Sequence, residues 1–144
     1  MAFNGNFLCT SFKVELMKGV HNFTAASDQF KVALYDNSAT FTAATTAYTS
    51  TNEISGTNYT AKGNFLTSVT PVASSTTALT DFADEVFSTV TISAVRGALI
   101  FNEAATSDPT VCVLDFGADK AASSGDFTIV FPTADASNAI IRIA

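Results

Sequence analysis

His21 is the only histidine in the chain, and the two cysteines, Cys9 and Cys112, are the only thiols. Nucleophilic catalysis needs a base beside a nucleophile and an acid or amide to orient the base. No GxSxG turn is present to expose a serine. Cys9 falls beside an apolar helical stripe, so it reads as a small buried hydrophobe, as does Cys112 within Val111–Leu114. His21 is then expected to be a loop or surface histidine, and the two cysteines buried free thiols. One histidine and two distant cysteines do not make a zinc site. Asp81, Asp84 and Glu85 lie close together but lack the spacing and central glycine of an EF-hand. They are expected to form a solvated acidic edge. A glycosidase pair drawn from Glu103, Asp115 and Asp126 is open on residue type alone, yet tryptophan is absent and no sugar-stacking platform is visible. Gly97, Gly117 and Gly125 stand singly, outside any phosphate-binding pattern. The expectation is no catalytic residue, no metal and no cofactor.

The thirteen phenylalanines carry more information. Several alternate within strand-like runs and belong to a core. Others sit near loop-like sequence in the N-terminal half, where they can anchor loops on their own body or on a neighbouring subunit. The candidate protein-interface residues are Phe3, Phe7, Phe12, Phe41, Tyr48, Ile54 and Tyr59.

These side chains need elements to place them. Leu8, Phe12 and Leu16 recur at helical spacing, with Cys9 and Val20 beside them, so a helix is expected over residues 6–19. Asn6 is its candidate cap and Gly19 its stop. The stripe is expected to dock on the body. Phe30–Tyr35 alternates as a strand, closed by turn chemistry at Asp36–Ser38. Residues 38–62 read as a long loop, with a helical turn near Ala43–Tyr48 and a turn at Gly56 using positive φ. Asn64–Val72 reads as a strand ended by Pro71, Ala73–Thr77 as a linker, and Leu79–Phe82 as a short strand. From Val86 to Phe101 two apolar runs of opposite parity meet at Arg96-Gly97, a bend or bulge. Val111–Phe116 reads as a central strand covered on both faces. Gly117–Gly125 reads as a connection to a strand at Phe127–Phe131, and Ile141–Ile143 as the last strand.

The sum is a mainly β fold: an antiparallel β-sandwich or flattened barrel with one short N-terminal α-helix. It forms a single domain, with an N-terminal arm and helix over 1–29 and a β body over 30–144. The length suits one core without metal or disulfide.

Charged residues make up 14% of the chain, against about a quarter in an ordinary soluble domain. A surface so short of Lys and Glu matches the centre of a protein–protein interface. The net charge is −6 and the seven basic residues are scattered, so phosphate-backbone binding is not expected. No apolar run is long enough to span a membrane. The opening residues lack a secretory pattern, so synthesis in a reducing cytosol is expected and the sequons at Asn22 and Asn58 read as chance matches.

The segments FKVALY (Phe30–Tyr35), TNEISGTNYTAKG (Thr51–Gly63), TISAVRGALIFN (Thr91–Asn102), VLDFGAD (Val113–Asp119) and GDFTI (Gly125–Ile129) occur in this order. Together they resemble a family of small tailed-bacteriophage virion structural proteins of the capsid-decoration kind. The resemblance covers most of the chain from Phe30 onward and extends to the helix preceding the KVAL strand. It departs at Asn58, where a glycine is expected. It implies a particle component without enzymatic activity. The leading expectation is a cement protein on the capsid exterior, assembled in the host cytoplasm. Its partners are the major capsid protein and itself, as a homotrimer. Its contacts come from Met1–Phe12 and Ser38–Lys62. A tail, neck or fibre-base component, receptor-binding or structural, is the alternative. A small carbohydrate-binding β-sandwich is a third reading.

Overall fold

The computed structural model describes residues 3–24 and 29–144. Met1 and Ala2, at the head of the expected contact segment, lie outside the described residues. The elements are β1 (Phe7–Leu8), α1 (Thr10–Met17), β2 (Phe30–Tyr35), β3 (Asn64–Phe65), β4 (Val72–Ser74), β5 (Thr77–Thr80), β6 (Glu85–Asn102), β7 (Thr110–Ile129) and β8 (Ile141–Ile143). Two antiparallel sheets form, in the orders β1-β7-β6-β2-β3 and β4-β5-β8. The protein is mainly β and sandwich-like, with one short helix.

β2 spans the residues that its alternation marks, and it pairs with β6 from Phe30↔Asn102 to Tyr35↔Gly97. β6 and β7 form one long hairpin around the Glu103–Pro109 loop. The expected connection at Gly117–Gly125 is instead part of β7. Its small residues have weak strand propensity, but β6 supplies a ladder. The mismatch is absorbed by register shifts at Phe87/Val90, Val90/Ile92, Ile92/Val95 and Val95/Gly97. Gly117 and Ser124 take positive φ in these irregular stretches. The shift at Arg96-Gly97 is the expected bulge. A Cβ on Gly97 would sit 2.3 Å from the Phe3 ring and 2.4 Å from the Leu114 carbonyl oxygen, so the N-terminal segment can close over this point only on glycine.

Five other expectations are corrected. The helix is shorter than 6–19 because Phe7 and Leu8 pair with Val113 and Cys112, and the Asn6 carboxamide accepts the Asp115 N–H instead of capping. Its end is as expected. Gly19 has φ 72°, with Gly19 N–H to Leu16 O and Val20 N–H to Glu15 O completing a Schellman motif. The strand expected at Asn64–Val72 breaks after Phe65. The segment expected to be a linker, Ala73–Thr77, holds a tight hairpin in which Ser74 pairs with Thr77 and Ser75 has φ 54°. No helical turn forms at Ala43–Tyr48; Ala47 bridges to Pro109 instead. Gly56 does not use positive φ. Its Cβ would fall 2.1 Å from the Thr91 carbonyl oxygen, so close approach is what requires glycine there. Asn58 takes the left-handed conformation, φ 60°, and its amide donates to Thr89 O.

The core fills the space between helix, loop and sheets. A file of rings (Phe12, Phe23, Phe30, Phe82, Phe131) runs from α1 toward the C-terminal segment, with centroids 6.1, 4.4, 5.7 and 5.6 Å apart. Each such pair adds about 0.5–1.5 kcal/mol beyond its buried area. Phe12 is therefore the residue that docks the helix, while Val20 lies exposed.

Candidate interaction surface

The seven candidate interface residues pack within their own chain. Phe3, Phe12, Phe41 and Ile54 are buried, and Phe7, Tyr48 and Tyr59 pack half-buried against the same core. Of the two placements open to these rings, the structure places them on their own body. Phe41 meets Phe3 and Tyr35 edge-on at 5.9 and 4.7 Å.

The Ser38–Lys62 loop is held by a polar knot. Glu53 accepts hydrogen bonds from the Tyr48 hydroxyl at 2.5 Å, the Tyr59 hydroxyl at 2.8 Å and the Lys62 N–H at 2.7 Å. The Tyr59 oxygen in turn accepts the Leu34 N–H of β2. Tyr35 donates to Thr49 O. All three tyrosines of the chain thus serve to fasten this loop. Burial, followed by the Glu53 charge, pushes the Tyr35 phenol far above its usual range. Burial and the bond to Glu53 do the same at Tyr48, and burial dominates at Tyr59.

Beside the knot runs an ion-pair chain. Lys31 lies 3.3 Å from Glu103, and Lys62 lies 3.5 Å from Glu103 and 2.7 Å from Asp108. The Lys31 ammonium also sits 4.3 Å from the Phe65 ring centroid. The Asp108 hydrogen bond raises the Lys62 pKa, which holds the amine protonated. Burial raises the thiols of Cys9 and Cys112, both free. In each case the environment favours the unreactive protonation state, the opposite of what an activated nucleophile requires.

Two polar residues depart from expectation. His21 is buried, not on a surface. Its Nδ1 faces the Asn102 amide nitrogen at 3.2 Å, and its Nε2 lies 2.9 Å from Glu15. Asn102 Oδ1 already accepts the Ala104 and Ala105 N–H groups, so its amide nitrogen faces the ring. Nδ1 is then the acceptor, and Nε2–H donates to Glu15. The histidine joins helix, β6 and the Glu103–Pro109 loop. Asp81 is fully buried, not part of a solvated edge, because its oxygens accept the Phe82 and Ile140 N–H groups. Burial raises its pKa. Asp84 is exposed and Glu85 half-buried.

The three acids open to a glycosidase reading each have their own partners. Asp115 pairs with Arg96 at 3.1 Å, and the Gly117 N–H, the Gly5 N–H and Arg96 lower its pKa. Asp126 accepts the Thr89 N–H, and Glu103 lies in the lysine chain. Among the described residues no group of three or more His, Cys, Asp or Glu could hold a metal.

The outward side of the β6–β7 hairpin is different in kind. Phe87, Val90, Ile92 and Val95 turn into the core, leaving Thr89, Thr91, Ser93, Ala94, Ala118, Ala121, Ser123 and Ser124 exposed, along with the charged Asp119, Lys120 and Asp126. A shallow depression of about 390 Å³ is lined by Ser55, Thr91, Ile92, Ser93, Ala121, Ala122 and Ser123 without a charged group. From Phe116 to Thr128 the far edge of β7 has no strand partner among the described residues. Low charge in the sequence pointed to such a surface. Its location was hidden because Gly117–Gly125 carries no strand periodicity.

No protein-family model, no curated protein sequence and no solved structure matches this chain.

Proposed function

We propose that this chain is a non-enzymatic virion structural protein. It acts as a capsid decoration, or cement, protein on the outer surface of a major capsid lattice, as a homotrimer at local three-fold positions. The observation that carries this reading is the small-residue outer side of β6 and β7, with its depression free of charged side chains, mounted on a long hairpin. Such a surface can meet another protein with little desolvation of charge. Stabilisation is additive over many copies, each covering apolar surface across a subunit boundary. The knot at Glu53 and the pushed-up thiols, lysine and phenols agree with a scaffold built for contact. The order of the FKVALY, TISAVRGALIFN, VLDFGAD and GDFTI segments supports the same assignment.

The test is the position and copy number of the chain in an imaged particle. Hundreds of copies on the head exterior support the reading. Six or twelve copies at one vertex would replace it with a tail, neck or fibre-base component. Turnover on a substrate, or a clear glycan-array signal, would refute it.

A further inference from the structure

Eight large apolar side chains are exposed among the described residues, and five of them fall in two patches of opposite charge. The first is on the helix. Val14 and Met17 lie one turn apart on the side away from Phe12, with Val20 just beyond the Schellman turn. Met17 is 82% exposed. Lys13 and Lys18 flank this stripe, and neither ammonium takes part in an ion pair among the described residues. Glu15, the one acid on the helix, is turned to His21.

The second patch is at the open end of the hairpin. The register Glu85↔Ile129, Val86↔Thr128 and Phe87↔Phe127 puts Val86, Ser88, Thr128 and Val130 on one outward face. The same parity places Asp84 and Asp126 on that face, and all six residues are exposed. Val130 is 74% exposed. Asp84 and Asp126 each use one oxygen to accept a backbone N–H, from Phe131 and Thr89, so among the described residues each carboxylate keeps its second oxygen without a hydrogen-bond donor.

We propose that these two patches bind each other between copies of the chain: the Lys13/Lys18-flanked stripe Val14–Met17–Val20 of one copy docks on the Asp84/Asp126-flanked Val86–Val130 face of the next. One patch offers apolar side chains between cations; the other offers apolar side chains beside Asp84 and Asp126, with Lys120 bordering the same depression, and stays net acidic, so apolar contact and charge complementarity coincide. The patches are different surfaces, so the contact is head-to-tail. Such an interface makes a closed ring if its rotation closes and a filament if it does not. This deepens the homotrimer in the reading above and supplies its interface. It does not depend on a capsid, because the association is measured on the isolated protein.

Analytical ultracentrifugation of the full chain over a range of concentrations and salt provides the test. The wild type is expected to self-associate, less strongly at high salt. Lys13→Glu with Lys18→Glu makes the first patch acidic. Ser88→Lys with Thr128→Lys places cations on the second while leaving the aspartate hydrogen bonds intact. Each double variant alone is expected to associate at least about tenfold more weakly, because like charges now face each other. An equimolar mixture of the two is expected to recover pairwise association as alternating, even-numbered species, since each patch then finds its opposite on the other variant and a three-membered ring would keep one mismatched contact. Circular dichroism confirms that both variants are folded. A monomeric wild type overturns the proposal, as does a multimer indifferent to both double variants or a mixture no stronger than its parts. If association follows this pattern but the particle shows no copies on the head, the capsid reading fails and this interface stands.

Discussion

Replacing Glu53 with alanine removes the acceptor of three donors at once. The Tyr59 hydroxyl, the Tyr48 hydroxyl and the Lys62 N–H all point at its carboxylate. Tyr59 is the most affected, because its oxygen is packed under the loop and also receives the Leu34 N–H. A hydrogen bond to a charged group contributes about 1.5–3 kcal/mol. Tyr48 and Lys62 are half-buried, so water can partly replace their bond; each is counted at about 1 kcal/mol. The expected loss is about 3–5 kcal/mol, a large part of the roughly 5–15 kcal/mol that stabilises a domain. Glu53→Gln should cost less. Its carbonyl oxygen can keep Tyr59 and the Lys62 N–H, and the Tyr48 hydroxyl can rotate to accept from the new amide. What is lost is charge assistance, about 1–2 kcal/mol. Urea unfolding followed by tyrosine fluorescence reads this directly, since the chain has no tryptophan and all three tyrosines lie in or beside the knot. The midpoint should fall in the order wild type, Gln, Ala with an unchanged m-value. An alanine variant within about 0.5 kcal/mol of wild type, the range of ordinary surface substitutions, would refute the knot.

Alkali should unfold the protein through its phenols. Their folded pKa values lie above the unfolded value of about 10, so their contribution is complete below that pH and is lost as pH rises past it; absorbance near 295 nm should show phenolate appearing only together with loss of the circular dichroism signal. Two or more tyrosines titrating near pH 10 in a folded chain would contradict this. Asp81→Asn should cost about 1–3 kcal/mol at neutral pH, because one of two backbone N–H groups then faces an amide nitrogen. Burial raises the folded pKa of Asp81 above its unfolded value, so the wild type should gain stability over that variant as pH falls from neutral toward about 4, and a gap that narrows on acidification would oppose this. Leu114→Ala and Ile129→Ala, both at buried β7 positions, should each cost about 2–5 kcal/mol by chemical denaturation, and near-wild-type values at both would mean that β7 does not pack as described.

What could be read in the sequence is what depends on local periodicity. Phe30–Tyr35 alternates and lies against a strand with its own apolar pattern, so its bounds are visible. Arg96-Gly97 is visible as a bulge because two apolar parities collide there. Gly117–Gly125 is not visible, since Ala, Ser and Gly give no period and the ladder comes from β6. His21 and Asp81 depart from the sequence-based expectation for a related reason. Each looks like a loop residue, and the groups that hold it inside are distant in the chain: Asn102 for His21 and Ile140 for Asp81. The exposed helix stripe left a signal. Once Leu8, Phe12 and Leu16 are given to the body, Val14 and Met17 fall on another side of the helix with nothing of their own to cover.

The rigid loop and the sticky surfaces are two parts of one physical argument. Association costs translational freedom and the ordering of any loops at the contact, and only the surplus appears as affinity. A Thr/Ser/Ala surface offers modest contact energy per residue and leaves little room for a large ordering cost. The residues richest in binding energy, the tyrosines and most phenylalanines, are spent inside the chain, where they fix the Ser38–Lys62 loop and the N-terminal segment in place. On the proposed cement reading, fixing them in advance lowers the cost of each contact that the outer faces would make. A protein that works by many identical weak contacts has more to gain from such stiffness than from one strong anchor, because the saving is repeated at every copy.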